Sequence, residues 1–163
     1  MLEERTLDVE IPAGIHDGQR IRLSGEGHSG LLGGRSGDMY VRVRVRPDKR
    51  FVRDGDDILS TVDLTMTQAS LGANVTIPTL DGDVGVELEP GTQPGEVVVL
   101  RGRGMPVLQG FGRGDHRVLV NVAIPRQLTD EQRELLLQFE ETAGKDTYRT
   151  DEGFFDKIKS AFR

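Results

Sequence analysis

Cysteine and tryptophan are absent from this chain of 163 residues, and aromatic residues make up only 5% of it. Without cysteine, the sequence can form no disulfide, no cysteine nucleophile and no thiolate zinc site. The three histidines, His16, His28 and His116, have no companion at metal-ligand spacing, so we expect no metal site. With so few aromatic side chains, any core must be built mainly from valine, leucine and isoleucine.

Long apolar runs and a basic charge balance are also missing. No run of 18 apolar residues exists and residues 1–5 are not a signal peptide, so we expect a soluble cytoplasmic protein with no membrane partner. The net charge is −6, and an acidic chain with few aromatics is a poor candidate for nucleic-acid binding. Arginines alternate with valines over residues 41–46, which predicts a solvated strand face opposite an apolar one.

The chain does contain an internal repeat at a constant offset of 77 positions. Glycine and aspartate recur without any insertion, and the apolar alternation of the strand before them recurs too. Because glycine is needed where φ is positive or backbones approach closely, matched glycines predict matched turns, with positive φ for at least some of Gly18, Gly25, Gly95 and Gly102. Two copies indicate a tandem pair of β modules rather than a solenoid. The matched residues are Gly14, Gly18, Gly25, Gly27, Gly37 and Asp38 with Gly91, Gly95, Gly102, Gly104, Gly114 and Asp115.

Turn residues divide the chain into predicted strands. The first copy has strands at residues 6–11, 19–24 and 38–46. The second copy has strands at 58–64 and 75–78, a hairpin signal at Asp81-Gly82 and a short helix over 65–71 that stops at Gly72. The sequence therefore predicts an all-β protein of two tandem homologous modules, each a β-sandwich or partly open barrel, with one short helix and a C-terminal helical segment. The predicted domains are residues 1–47, 48–125 and 126–163.

The C-terminal segment reads as a helix followed by an apolar tail. Residues 129–132 form a capping box before apolar residues at helical spacing, which predicts a helix over 130–143. Large apolar side chains at a chain end predict a docking surface, and we expect a homodimer interface. A tail that folds back on its own module, or stays mobile, is the alternative. The predicted dimerisation residues are Leu135, Leu136, Phe139, Phe154, Phe155, Ile158 and Phe162.

Apparent ligand and catalytic signatures are weak. Residues 25–30 match G-x-G-x-x-G, but residues 31–34 start a helix poorly, so no helix N-terminus is available for a phosphate. The carboxylates of Asp54, Asp56 and Asp57 lack the spacing and the glutamate of a calcium loop, which favours a solvated turn. No Ser-His-Asp or paired-carboxylate arrangement follows from the spacing. We therefore expect a protein that is not an enzyme.

A combination of short blocks is more specific than any of these motifs. In chain order they are IPAG at 11–14, DGQRIRLSGEG at 17–27, GDMYV at 37–41, RDGDDI at 53–58, ASLG at 69–72, VTIPTLDG at 75–82 and GRGMP at 102–106. Together, over residues 2–144, they resemble the C-terminal substrate-binding region of DnaJ-type co-chaperones. The J-domain, the Gly/Phe linker and the cysteine-rich zinc module of that family are not in the sequence. The resemblance therefore implies a fragment that begins after the zinc module and lacks the opening strands of the first β-domain, where other pocket residues would lie. Zinc is expected only in that upstream module, with no cofactor here.

The resemblance implies a chaperone function through binding. In the family, a hydrophobic stretch of an unfolded client adds as a strand to the first β-domain and places an apolar side chain in a pocket. The full-length protein then delivers the client to a DnaK-type chaperone. The matching pocket positions here are Leu7 and Val41, with Val9, Met39 and Val43 as neighbours. Alternating apolar strand residues also fit a core, and a β-rich homodimerisation scaffold without client binding is the alternative function.

Overall fold

The computed structural model describes residues 6–30 and 34–148. The chain divides into two compact units, residues 1–124 and 125–163. The first unit is mostly strands with one short helix and, among the described residues, no closed barrel, which confirms the predicted all-β class. The elements are β1 (Arg20–Leu23), β2 (Met39–Arg42), β3 (Val52–Asp54), β4 (Asp57–Thr65), α1 (Met66–Leu71), β5 (Ala73–Thr79), β6 (Gly82–Leu88), β7 (Val97–Leu100) and β8 (His116–Ala123), with α2 (Asp130–Thr142) in the second unit.

The strands form three sheets. β1 and β2 make an antiparallel two-stranded sheet, and β5 and β6 make a hairpin. The largest sheet has the order β3-β4-β8-β7, in which β4 and β8 run parallel while the outer pairs are antiparallel. Parallel neighbours need a long connection, and here it contains α1, the β5–β6 hairpin and β7.

The hydrophobic core lies in the second copy of the repeat. Leu64 on β4, Ala69 on α1, Leu88 on β6 and Val120 on β8 are buried in one cluster. Each of the three strand residues has a half-buried valine two positions away, as expected when one face of each strand points inward. Half-buried valines from the same strands surround the cluster. The small side chains therefore build one core from elements that are far apart in sequence.

The repeat extends to individual hydrogen bonds. The register of β1 on β2 recurs in β7 on β8 after the shift of 77 positions, so Arg20 opposite Arg42 becomes Val97 opposite Leu119. Turn and loop bonds recur with nearly equal lengths. These pairs are Gly18 N–H to Val43 O (2.9 Å) with Gly95 N–H to Val120 O (2.8 Å), and Gly25 N–H to Asp38 Oδ1 (3.0 Å) with Gly102 N–H to Asp115 Oδ1 (2.9 Å).

The repeated glycines have the predicted backbone conformation. The φ angles are 81° at Gly18, 87° at Gly95, 77° at Gly25 and 67° at Gly102. All four lie in the region that side-chain-bearing residues rarely adopt. The shared-turn prediction is confirmed, and the repeated aspartate has a role in it, since its carboxylate accepts the N–H of the turn glycine in each copy.

Two strand predictions in the first copy are wrong in extent. Residues 6–11 form no strand, and β2 ends at Arg42 rather than Arg46. The second copy supplies the reason. The counterpart of residues 6–11 lies in β6, which is held by pairing with β5, and β8 continues to Ala123 alongside β4. The described residues contain no first-copy counterpart of β5 to pair with residues 6–11. They also contain no counterpart of β4 to pair with residues 43–46.

Both predicted helices form. Thr65 caps α1 and Thr129 caps α2, each with a reciprocal capping box that uses Gln68 or Gln132. The helix α2 ends at Thr142, one residue before the predicted end. The boundary predicted between residues 47 and 48 stays a prediction, because the observed division into units falls only between Ile124 and Pro125.

Candidate functional site

The strand β2 has one edge without a partner strand among residues 6–30 and 34–148. Val43 lies just beyond the strand, and both of its backbone groups bond on the β1 side. Its N–H donates to Gln19 O at 2.8 Å, and its C=O accepts the Gly18 N–H at 2.9 Å. Alternate residues of a strand direct these groups to opposite edges, so Arg42 and Arg44 present theirs to the far edge. In the second copy the corresponding edge of β8 pairs with β4.

A row of apolar side chains runs along β2 and is far more exposed than its counterpart. Met39 is 38% exposed, Val45 is 46% exposed, and Val41 and Val43 are half-buried. The second-copy counterparts of the first three row positions are nearly inaccessible: His116 at 0%, Val118 at 0% and Val120 at 1%. In the second copy, Val120 packs in a buried cluster with Leu64 on β4, Ala69 on α1 and Leu88 on β6. The first-copy row is partly exposed among the described residues.

The remaining predicted pocket residues, Leu7 and Val9, lie in the segment that forms no strand. Both are half-buried, and neither pairs with β2. Their counterparts in the second copy, Val84 and Val86, lie on β6. The structure thus places Met39, Val41 and Val43 in one row and Leu7 and Val9 in a separate segment. The five-residue pocket stays a prediction.

The opposite face of the β1–β2 sheet is cationic. Arg20 and Arg42 are register partners, so two like charges stand directly across from each other. Arg22 is paired, with Nη2 at 2.6 Å from Asp38 Oδ2. The Gly25 N–H and the Arg22 guanidinium hold the pKa of Asp38 below its usual value. Among the described residues no acidic side chain pairs with Arg42, Arg44 or Arg46.

Arg53 joins the two copies, a contact that the sequence did not indicate. Its guanidinium donates to Gly14 O at 2.7 Å, Ile15 O at 2.8 Å and Gly55 O at 2.7 Å. The three bonds tie the first turn of the first copy to the β3–β4 turn. The planar fork of arginine suits several acceptors at once. A lone arginine beside a turn carries no sequence signal for this role.

The aspartates around Gly55 are structural partners. Asp57 Oδ1 accepts the N–H of Asp115 at 2.7 Å, and its Oδ2 lies 2.6 Å from Arg117 Nη2. Asp57 is also half-buried, so the predicted solvated turn describes only part of this loop. Within the part of the chain that the structure describes, no group of three or more metal-ligating side chains is found.

His116 is fully buried at the start of β8, although the sequence suggested only a residue beside a turn. Its Nε2 lies 2.7 Å from Ser60 Oγ, and Phe51 packs edge-on against the ring with centroids 5.7 Å apart. Burial lowers the pKa of His116. The imidazole is therefore part of the second-copy interior.

The helix α2 has no buried residue. Leu135 is 58% exposed and Phe139 is 50% exposed, while Leu136 is half-buried. The other predicted dimerisation residues, Phe154, Phe155, Ile158 and Phe162, lie outside the described residues. An exposed apolar helix face is compatible with a partner. The homodimer remains a prediction.

Comparison with known proteins identifies the family. Residues 1–125 match the DnaJ C terminal domain, and residues 131–163 match the Chaperone protein DnaJ C-terminal region. The chain belongs to the DnaJ C-terminal domain family. Membership confirms the resemblance that the sequence blocks carried. Among the described residues of this DnaJ C-terminal domain, no helix has the length and apolar character needed to cross a membrane.

Relatives of this DnaJ C-terminal domain are named Chaperone protein DnaJ. One from Ruminiclostridium cellulolyticum is 47% identical over 98% of this chain, and one from Listeria monocytogenes is 45% identical over 98%. A third, from Acetivibrio thermocellus, is 45% identical over 95%. The chain spans 42% of the length of the first two and 40% of the third.

Proposed function

We propose that this chain is the polypeptide-binding part of a DnaJ-type chaperone and holds extended segments of non-native proteins by strand addition. The observation that carries the proposal is the partly exposed apolar row of Met39, Val41 and Val43 on and just beyond β2, whose second-copy counterparts are buried. Leu7 and Val9 complete the proposed pocket. The names of the relatives support a chaperone role.

Strand addition suits such a role physically. Backbone hydrogen bonds hold an added strand whatever its sequence, while side-chain pockets set a preference at alternate positions. Unfolded proteins share exposed apolar segments rather than one motif. A strand with a partly exposed apolar row can therefore bind many clients weakly. In our proposal the chain performs no catalysis, and delivery to a DnaK-type chaperone belongs to a longer protein.

Suppression of aggregation tests the proposal directly. The chain, without nucleotide, should reduce light scattering by a model protein diluted from denaturant. Leu7→Ser and Val41→Ser should reduce this effect, whereas Val97→Ser, at a 52% exposed valine of the second copy, should not. Full suppression by both pocket variants would refute the pocket. No suppression by the unmodified chain would favour the scaffold function.

The exposed apolar face of α2 supports a second part of the proposal, a homodimer formed through α2 and the tail. Two linked binding sites would hold one client more tightly through avidity. Light scattering should give a dimer mass for the intact chain and a lower mass for chains that end at Gly144 or Pro125. The same monomeric mass for all three chains would contradict the dimer.

A further inference from the structure

His116 is an ionisable group in the interior of the second copy, and one of its two ring nitrogens lacks a partner. Its Nε2 lies 2.7 Å from Ser60 Oγ, whereas Nδ1 is buried without a hydrogen-bond partner among the described residues. A neutral imidazole has one N–H donor and one acceptor, but a protonated imidazole has two N–H donors. Protonation would therefore leave a buried, charged N–H group unpaired, which is costly in an apolar interior.

The carboxylates next to this histidine have other partners. Asp115, which precedes it in the chain, accepts the N–H of a turn glycine at 2.9 Å. Asp57, on the neighbouring β4, accepts the Asp115 N–H at 2.7 Å and lies 2.6 Å from Arg117 Nη2. Successive residues of a strand point to opposite faces of the sheet. Asp115 and Arg117 therefore lie on the face away from the imidazole, and neither carboxylate is available to balance a charge on the ring.

The other elements around the ring bring no free anionic group to it, within the residues that the structure describes. On β7 the register partner of His116 is Leu100. On the linker side, the guanidinium carbon of Arg50 lies 4.9 Å from the centre of the Phe51 ring, and the guanidinium pairs with Asp48 at 2.9 Å. Burial is the cause that lowers the pKa of His116. The folded interior thus favours the neutral ring.

The aromatic ring that packs against His116 belongs to a weakly held part of the sheet. Phe51 lies edge-on to the imidazole, with centroids 5.7 Å apart, and directly precedes β3. This strand is three residues long, lies at the edge of its sheet and pairs only with β4. Val52 is 64% exposed and Asp54 is exposed too. Segments with few buried side chains open at the lowest local free energy. Opening of β3 together with Phe51 is therefore the least costly way to admit water to the imidazole.

The same strand holds the first copy. Arg53, the central residue of β3, donates to Gly14 O at 2.7 Å and to Ile15 O at 2.8 Å. Its side chain is only 20% exposed, so the guanidinium is largely covered at this contact. When β3 separates from β4, these two bonds cannot keep their geometry. Phe51, β3 and the two Arg53 bonds together are called the joint between the copies below.

We propose that His116 is an acid-sensitive latch of this joint, and that its protonation opens β3 and releases the first turn from Arg53. The inference concerns regulation of the scaffold and does not depend on the proposed client site. An exposed histidine ordinarily has a pKa of about 6.5, so the open form binds a proton more readily than the closed form. Proton binding then draws the equilibrium toward the open form, and the open fraction should rise by up to about 30-fold between pH 7.5 and 5.0.

Hydrogen exchange measured by mass spectrometry tests the latch, with each rate divided by the intrinsic exchange rate at the same pH. Between pH 7.5 and 5.0, protection of residues 51–56 and of the first turn, residues 12–18, should fall together, by up to about 30-fold. The β5–β6 hairpin, residues 73–88, should keep its protection. A pH-independent protection of residues 51–56 would overturn the inference. So would an equal loss in the hairpin, which means global unfolding, or a loss in β3 that the first turn does not follow.

Two substitutions identify the histidine that is responsible, and each uses the residue that the other copy carries at the equivalent position. His116→Met introduces the counterpart Met39 and should abolish the acid-dependent loss of protection. His16→Gln is the control. His16 also lies at the joint, with Nε2 3.3 Å from Arg53 Nη2 and 3.9 Å from Asp56 Oδ1, and its counterpart is a glutamine.

The control variant should retain the loss of protection in acid. If His16→Gln abolishes the loss while His116→Met retains it, the latch is His16 and the inference is wrong. If His116→Met does not fold, the pH profile of the unmodified chain and the His16→Gln variant still decide. A profile without loss at the joint, or one that His16→Gln removes, overturns the inference in that case.

Discussion

Serine substitution at one matched pair of valines separates a binding surface from a core. Val41 on β2 and Val118 on β8 occupy equivalent positions of the repeat, but Val41 is half-buried whereas Val118 is 0% exposed. Val118→Ser removes about two buried carbon groups at about 0.8 kcal/mol each. It also adds a cavity and a buried hydroxyl, so the total loss is about 3–4 kcal/mol. Val41→Ser should cost about 1 kcal/mol or less, because much of its side chain already contacts water.

Urea unfolding followed by circular dichroism measures both losses, and the thermal midpoints should differ by about 10 °C or more. The affinity of a labelled apolar peptide gives the second readout. It should fall for Val41→Ser and stay unchanged for Val118→Ser at a temperature where that variant is folded. If Val41→Ser loses as much stability as Val118→Ser and shows no separate binding defect, Val41 is a core residue and the groove assignment is wrong.

Three further predictions concern the scaffold. Gly104→Ala should lower the free energy of unfolding in a urea titration by about 1–3 kcal/mol, because its Cβ would lie 2.6 Å from the backbone of Asp56. Gly85→Ala is the control: no atom lies within 4 Å of its Cβ, so it should be neutral or slightly stabilising in the same titration. Burial lowers the pKa of His116, so the unfolded chain binds a proton more readily than the folded chain. The free energy of unfolding should therefore fall as the pH drops below about 6.5. His116→Met should remove the share of this fall that comes from His116 between pH 7.5 and 5. Arg53→Lys keeps the charge but loses the three-acceptor fork, so limited proteolysis should cut the first copy faster, and an unchanged rate would refute the anchoring role.

The sequence predicted what local chemistry determines. Glycine spacing predicted the turns, and capping boxes predicted both helices, because these signals act within a few residues. It could not predict the parallel pairing of β4 with β8, whose partners Ile58 and His116 are far apart in sequence. It also overestimated the strand at residues 38–46, since alternation reports which face is apolar and not whether a partner strand is present. The burial of His116 and the contacts of Arg53 are tertiary, so no local pattern carried them.

The two copies of the repeat differ in how far their equivalent side chains are buried. In the second copy, Val118 and Val120 are buried, and the outer sheet face carries Val97 and Leu119, where the first copy has Arg20 and Arg42. The fold therefore does not require arginines at those positions, and like charges directly across a strand pair cost stability. The first copy keeps the same turns and the same ladder, and Arg53 holds its first turn to the second copy. In our proposal, this anchoring holds the first copy in place while its partly exposed apolar row contacts a client.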